Sequence, residues 1–90
     1  MDSLDEERRL LGLACAGDAG AFSSLYESFA HGLYRRILLP RLGDHAAAED
    51  ALSDTFAVFV DHVCALGNGE RSVWHWLVRV ASRKAIDQHR

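Results

Sequence analysis

The chain has 90 residues, 49% of them hydrophobic, with 10 Lys and Arg against 13 Asp and Glu for a net charge of −3. That is the composition of one small globular domain over residues 1–90, with too little chain for two independent cores. No apolar run approaches the roughly 18 to 20 residues that cross a bilayer, and the opening Met1-Asp2-Ser3-Leu4-Asp5-Glu6-Glu7 is acidic where a secretion signal is basic. Both observations argue against membrane and secreted classes and for a cytoplasmic protein. Cys15 and Cys64 are too few for a disulfide scaffold and read as reduced, mostly buried thiols.

Helical signals succeed one another along the chain. Ser3-Leu4-Asp5-Glu6 has the spacing of a capping box and predicts a helix to about Ala16, stopped by Gly17. Asp18 is placed to cap a second helix in which Phe22, Leu25, Tyr26, Phe29, Leu33 and Ile37 recur at helical steps and form one apolar stripe. Pro40 has no amide hydrogen to donate and is expected to end or kink that helix before Gly43. Asp44 caps a third helix reaching about Leu66, and Gly67-Asn68-Gly69 breaks it in a turn. A fourth helix begins after Ser72. Its opening, Val73-Trp74-His75-Trp76-Leu77-Val78-Arg79-Val80, is rich enough in β-branched and aromatic residues to test as a strand. Trp76, Leu77 and Val78 break a period of two, whereas Val73, Trp76, Leu77 and Val80 fit i, i+3, i+4, i+7. The predicted fold class is all-α, a compact bundle of about four helices.

Charge is unevenly distributed. Residues 1–70 hold five basic and twelve acidic side chains, net −7, while residues 71–90 hold Arg71, Arg79, Arg83, Lys84 and Arg90 against Asp87, net +4. At about 100° per residue, Asp50, Asp54 and Asp61 of the third helix fall within about 40° of one another, opposite Leu52, Phe56, Phe59 and Val63. Such a stripe is either a solvated outer face or a docking surface for a basic partner helix, and patterning leaves both open. On the fourth helix Arg79, Arg83 and Arg90 share a face beside the apolar stripe, again within about 40°. Trp74 falls about 100° from Val73, either as a half-exposed packing residue or as a stacking platform for an unpaired base. Arginines and aromatics beside a glycine-rich loop are the ingredients of a single-stranded nucleic-acid site.

Catalytic chemistry is not indicated. His31, His45, His62, His75 and His89 are scattered, and His62 and Cys64, two positions apart, diverge on a helix. Glu49 and Asp50 are adjacent and point about 100° apart, so they do not form a carboxylate pair. No cofactor or metal is expected, and the protein reads as a binding module, not an enzyme.

Three stretches carry a family resemblance: Ala16-Gly17-Asp18-Ala19-Gly20-Ala21-Phe22-Ser23-Ser24-Leu25-Tyr26, Ala48-Glu49-Asp50-Ala51-Leu52-Ser53-Asp54-Thr55-Phe56, and Trp76-Leu77-Val78-Arg79-Val80-Ala81 with Ala85-Ile86-Asp87 and Arg90. In order and spacing they resemble region 2 of the extracytoplasmic-function branch of bacterial sigma factors over nearly the whole chain. The resemblance implies a transcription initiation domain that docks on the clamp helices of the RNA polymerase β′ subunit. It also implies that the last helix and the loop before it capture the melted −10 promoter element as single-stranded non-template DNA. Position by position, it places Glu49, Asp50, Ser53, Asp54 and Phe56 in the polymerase-binding helix, and Asp61 extends the same acidic stripe. It places Asn68 and Arg71 in the loop that receives a flipped base, and Arg79, Arg83, Lys84 and Arg90 on the DNA-facing helix, beside Trp74. Ser53 stands where the family usually has glutamine, Arg83 where it usually has asparagine, and Pro40 in a helix usually free of proline. An anti-sigma protein is a further candidate partner. The family's second domain, which reads the −35 element, has no counterpart within residues 1–90. The alternative is a pure interaction module, a decoy or regulator target that keeps the docking face without productive DNA binding. The shared face of Arg79, Arg83 and Arg90 favours promoter binding, since a decoy has no use for it.

Overall fold

The computed structural model describes residues 3–88, with side chains from Leu4 onward, so the Ser3 hydroxyl of the expected capping box lies outside the described residues. Helix α1 (Ser3–Cys15) ends in a Schellman turn. There the Gly17 amide donates to the Ala14 carbonyl and the Asp18 amide to the Leu13 carbonyl, both at 3.0 Å. The turn needs φ of +100° at residue 17, a backbone that glycine adopts without a Cβ clash. Asp18 then caps α2 (Ala19–Gly32), its carboxylate accepting from the Ala21 amide at 3.0 Å. Asp44 caps α4 (His45–Leu66) in the same way through the Ala47 amide at 3.1 Å. Both caps stand where the sequence predicts them.

Between those caps the chain departs from a simple helix. α2 passes without a break into a π-helical segment (Leu33–Leu38) and then into the single turn α3 (Leu39–Leu42), all in right-handed backbone. A regular α-helix cannot pass Pro40, whose ring crowds the carbonyl four residues back and which offers no N–H. The ladder instead widens one turn earlier, with the Leu39 amide donating to the Tyr34 carbonyl five residues back, and Pro40 falls in the first turn of α3. The proline thus widens the rod without ending it. The rod stops at Gly43, left-handed at φ +68°, whose amide bonds the Leu39 carbonyl at 2.8 Å. The wide turn also changes which side chains face inward. Leu33 and Leu38 are fully enclosed, while Ile37, which a 3.6-residue count puts on the core stripe, is only half-buried.

Counting α2, the π segment and α3 as one rod, the molecule is a four-rod bundle with no strand among the described residues. At its centre α4 buries Ala48, Ala51, Leu52, Thr55, Phe56, Phe59 and Val63. The enclosed ring of Phe59 meets Phe22, Phe56 and Trp76 at centroid distances of 5.7, 5.7 and 6.0 Å. Thr55 is polar and buried, and its hydroxyl is satisfied by donating to the Ala51 carbonyl at 2.7 Å. Helix α5 (Trp74–Gln88) closes the bundle against α4 and the π segment. It is helical as expected, but its buried line is Leu77, Ala81 and Ala85, continued upstream by Val73, with Trp76 and Val80 only half-buried. Counting large side chains misplaces the centre of this face by about 70°, because alanines carry the close approach of the α5 backbone.

The cysteine expectation is overturned in both parts. Cys15 and Cys64 are exposed and form a disulfide with a Cα–Cα distance of 4.8 Å. The ends of α1 and α4 lie side by side, and a count of two cysteines carries no information about that proximity. No helix among the described residues is long and apolar enough to cross a membrane.

Candidate nucleic-acid and partner interfaces

On α4 the predicted division of faces holds. Glu49, Asp50, Ser53, Asp54 and Asp61 are exposed, opposite the buried Leu52, Phe56, Phe59 and Val63. None of these carboxylates is in an ion pair with a cation among the described residues. Among the described residues the ion pair is Arg9 with Glu6 on α1, at 2.6 Å, where the hydrogen bond from Arg9 holds the Glu6 carboxyl below its usual range. Phe56 differs from its expected companions. It is 6% exposed, with its ring 4.7 Å from Tyr26 and 5.7 Å from Phe59, so it belongs to the core and not to the exposed face of α4. Beside the stripe runs an open groove of about 450 Å³ lined by Tyr26, His31, Tyr34, Glu49 and Ser53, and the Tyr34 hydroxyl is hydrogen-bonded to His45 Nδ1.

The loop after α4 and the first turns of α5 enclose a cleft of about 300 Å³ whose walls include Leu66, Gly69, Arg71, His75, Trp76 and Arg79. Arg71 enters from the loop side and Arg79 from the helix side, both exposed and neither in an ion pair among the described residues. Arg83 lies one turn beyond Arg79 on the same outer face and is also exposed. Lys84 is half-buried and turned about 100° away, and Asn68 is exposed in the turn without lining the cleft. Arg90 lies outside the described residues.

Of the two readings open for Trp74 the structure takes the packing one, and Trp76 is less enclosed than its place on the core stripe implies. Trp74 is half-buried, its ring 6.4 Å from Phe29 and so close over Gly32 that a Cβ there would meet Trp74 Cη2 at 3.2 Å. It is a packing residue and does not line the cleft. Trp76, assigned to the core stripe, packs on Phe59 and His62 at 6.0 and 5.5 Å and presents its remaining surface to the cleft. Both placements stem from the rotated face of α5.

The loop is held from the opposite end of the sequence. Glu7 of α1 accepts from the Ser72 hydroxyl at 2.7 Å through Oε1 and from the Val73 amide at 2.9 Å through Oε2. Arg8 donates to the Gly69 and Glu70 carbonyls at 3.2 and 2.9 Å. Leu11 lies 3.8 Å from where a side chain on Gly67 would begin, and the disulfide joins Cys15 to Cys64. Contacts 15 to 64, 11 to 67, 8 to 69 and 7 to 73 run in opposite directions, so α1 lies antiparallel along the whole segment. Sequence reasoning missed Glu7, Arg8 and His75. The α1 contacts span up to 66 residues, and no local pattern distinguishes Glu7 from its acidic neighbours.

Residues 24–90 match the sigma-70 region 2 family. The chain is also 35% identical over 74 residues to the ECF RNA polymerase sigma factor BldN of Streptomyces coelicolor, an alignment covering 82% of this chain and 28% of that protein. The chain therefore spans well under a third of the length of this relative. No solved structure matches it. With the helical bundle expected of that family in place, the chain belongs to sigma-70 region 2, as a region-2 domain of the extracytoplasmic-function type.

Proposed function

We propose that this domain works in the cytoplasm by docking the exposed face of α4 on the β′ clamp helices of RNA polymerase. In the same reading, the α5 cleft and outer face hold the melted −10 element as single-stranded non-template DNA. What carries the reading is a pair of exposed, oppositely charged faces with no ion pair among the described residues: Asp50, Asp54 and Asp61 on α4, and Arg71, Arg79 and Arg83 around α5. Charges kept apart on one small surface remain available to outside partners, steering encounter and fixing orientation. Arg79 and Arg83 suit phosphates, while Trp76 and His75 offer ring faces to a base entering the cleft. The work of the domain in this reading is binding, with no bond made or broken.

The test is capture of core RNA polymerase by the chain, and then fluorescence binding of labelled single-stranded DNA to the captured complex. The expected result is capture, and retention of DNA with a sequence preference. Capture without DNA retention would convert the domain into a pure interaction module, and failure of capture would remove the docking role.

A further inference from the structure

We infer that α1 is a positioning strap for the loop at residues 67–73, and that Glu7 and Arg8 set which base the α5 cleft accepts. The inference rests on the reading of that cleft as a base-binding site. The family match covers residues 24–90, and α1 lies before that segment. The turn at residues 67–69 is fixed by its own backbone hydrogen bonds, from the Gly67, Asn68 and Gly69 amides to the Val63, Ala65 and Leu66 carbonyls at 3.2 to 3.3 Å, but these bonds stop at Gly69 and leave residues 70–73 to other anchors. From Gly69 to Val73 the anchors come from α1, through four side-chain hydrogen bonds.

Each bond fixes a different wall. Arg8 draws the Gly69 and Glu70 carbonyls onto one guanidinium, which orients the peptide units beside Arg71. Glu7 satisfies the free Val73 amide at the start of α5 and holds the Ser72 hydroxyl, which in turn accepts from the Trp74 amide at 3.2 Å. A carboxylate from a distant helix thereby completes the cap of α5 and brings a negative charge to the positive end of its dipole. Moving either anchor shifts the backbone against which a base edge is read, while the phosphate-facing Arg79 and Arg83 stay in place on α5. Glu7 and Arg8 touch no nucleotide in this scheme. They are positioning residues.

The experiment compares the unaltered chain with Glu7→Gln, Arg8→Ala and Arg8→Lys, each bound to core RNA polymerase. Two quantities are measured: enrichment of sequences from a randomised pool of short single-stranded DNA, and amide hydrogen exchange across residues 66–76. Glu7→Gln and Arg8→Ala are expected to raise exchange in the loop by about tenfold, the scale of one lost charged hydrogen bond. They should flatten the base preference at one position while core capture and pool-averaged affinity stay within about twofold. Arg8→Lys keeps a donor and should retain most of the preference. If Glu7→Gln fails to fold, Arg8→Ala, which alters only exposed contacts, carries the test alone. Unchanged base preference in a variant whose loop exchange has risen overturns the strap, as does unchanged loop exchange. A chain that shows no base preference before any substitution overturns the cleft reading itself, and the strap with it.

Discussion

Phe56 and Asp54 stand two positions apart on α4, one enclosed by aromatic rings and the other in solvent. Truncating Phe56 to Ala leaves a cavity between Tyr26 and Phe59 and should lower stability by about 3 to 5 kcal/mol, read as a fall in the urea midpoint. An unchanged midpoint would mean that the ring is not in the core. Arg83 raises a different question. It occupies an exposed position one turn from the cleft-lining Arg79, and a guanidinium offers guanine a bidentate fork that an amide cannot. Arg83→Asn is expected to change base preference at one position of bound single-stranded DNA more than it lowers affinity. Equal losses across a panel of single-base variants would instead make Arg83 a phosphate anchor, each such contact steepening the salt dependence of log K by roughly 0.7.

Helices α4 and α5 differ in how openly their sequences declared themselves. On α4 the large apolar residues and the carboxylates separate cleanly, and the caps at Asp18 and Asp44 are local signals, so rods and faces were legible there. On α5 the core side is Ala81 and Ala85, residues that carry little weight in an apolar count, so the count centres the face on Trp76, which instead lines the cleft, and leaves the packing of Trp74 undecided. The π segment was illegible for a similar reason: Pro40 announces a disturbance, but not whether the helix will stop or widen to pass it. Because the face of α4 is independent of its core, it can be altered alone. Reversing Asp50 and Asp54 to Lys should weaken core polymerase binding by about 1 to 3 kcal/mol and leave the helical circular dichroism and melting temperature nearly unchanged. Full-strength capture by the double variant would return the stripe to being a solvated surface.

For the molecule as a whole, the disulfide is the feature with the longest reach, joining positions 49 apart in sequence. Closing a loop of that size restricts the unfolded chain, and reducing the bond should cost about 4 kcal/mol of stability. Urea unfolding with and without dithiothreitol measures this, and Cys15→Ser should match the reduced protein and be indifferent to the reagent. Coincident curves for the native chain would show the staple to be thermodynamically idle. The same bond also decides how the protein carries a mechanical load. Tension applied between residues 3 and 88 is short-circuited at Cys15 and Cys64, so about 170 Å of extended polypeptide stays out of the load path. The pieces in series are α1, the loop and α5, joined across their contact by Glu7 and Arg8. A pull on the ends would therefore deform the proposed DNA-reading end first, leaving the acidic face of α4 inside a closed covalent ring.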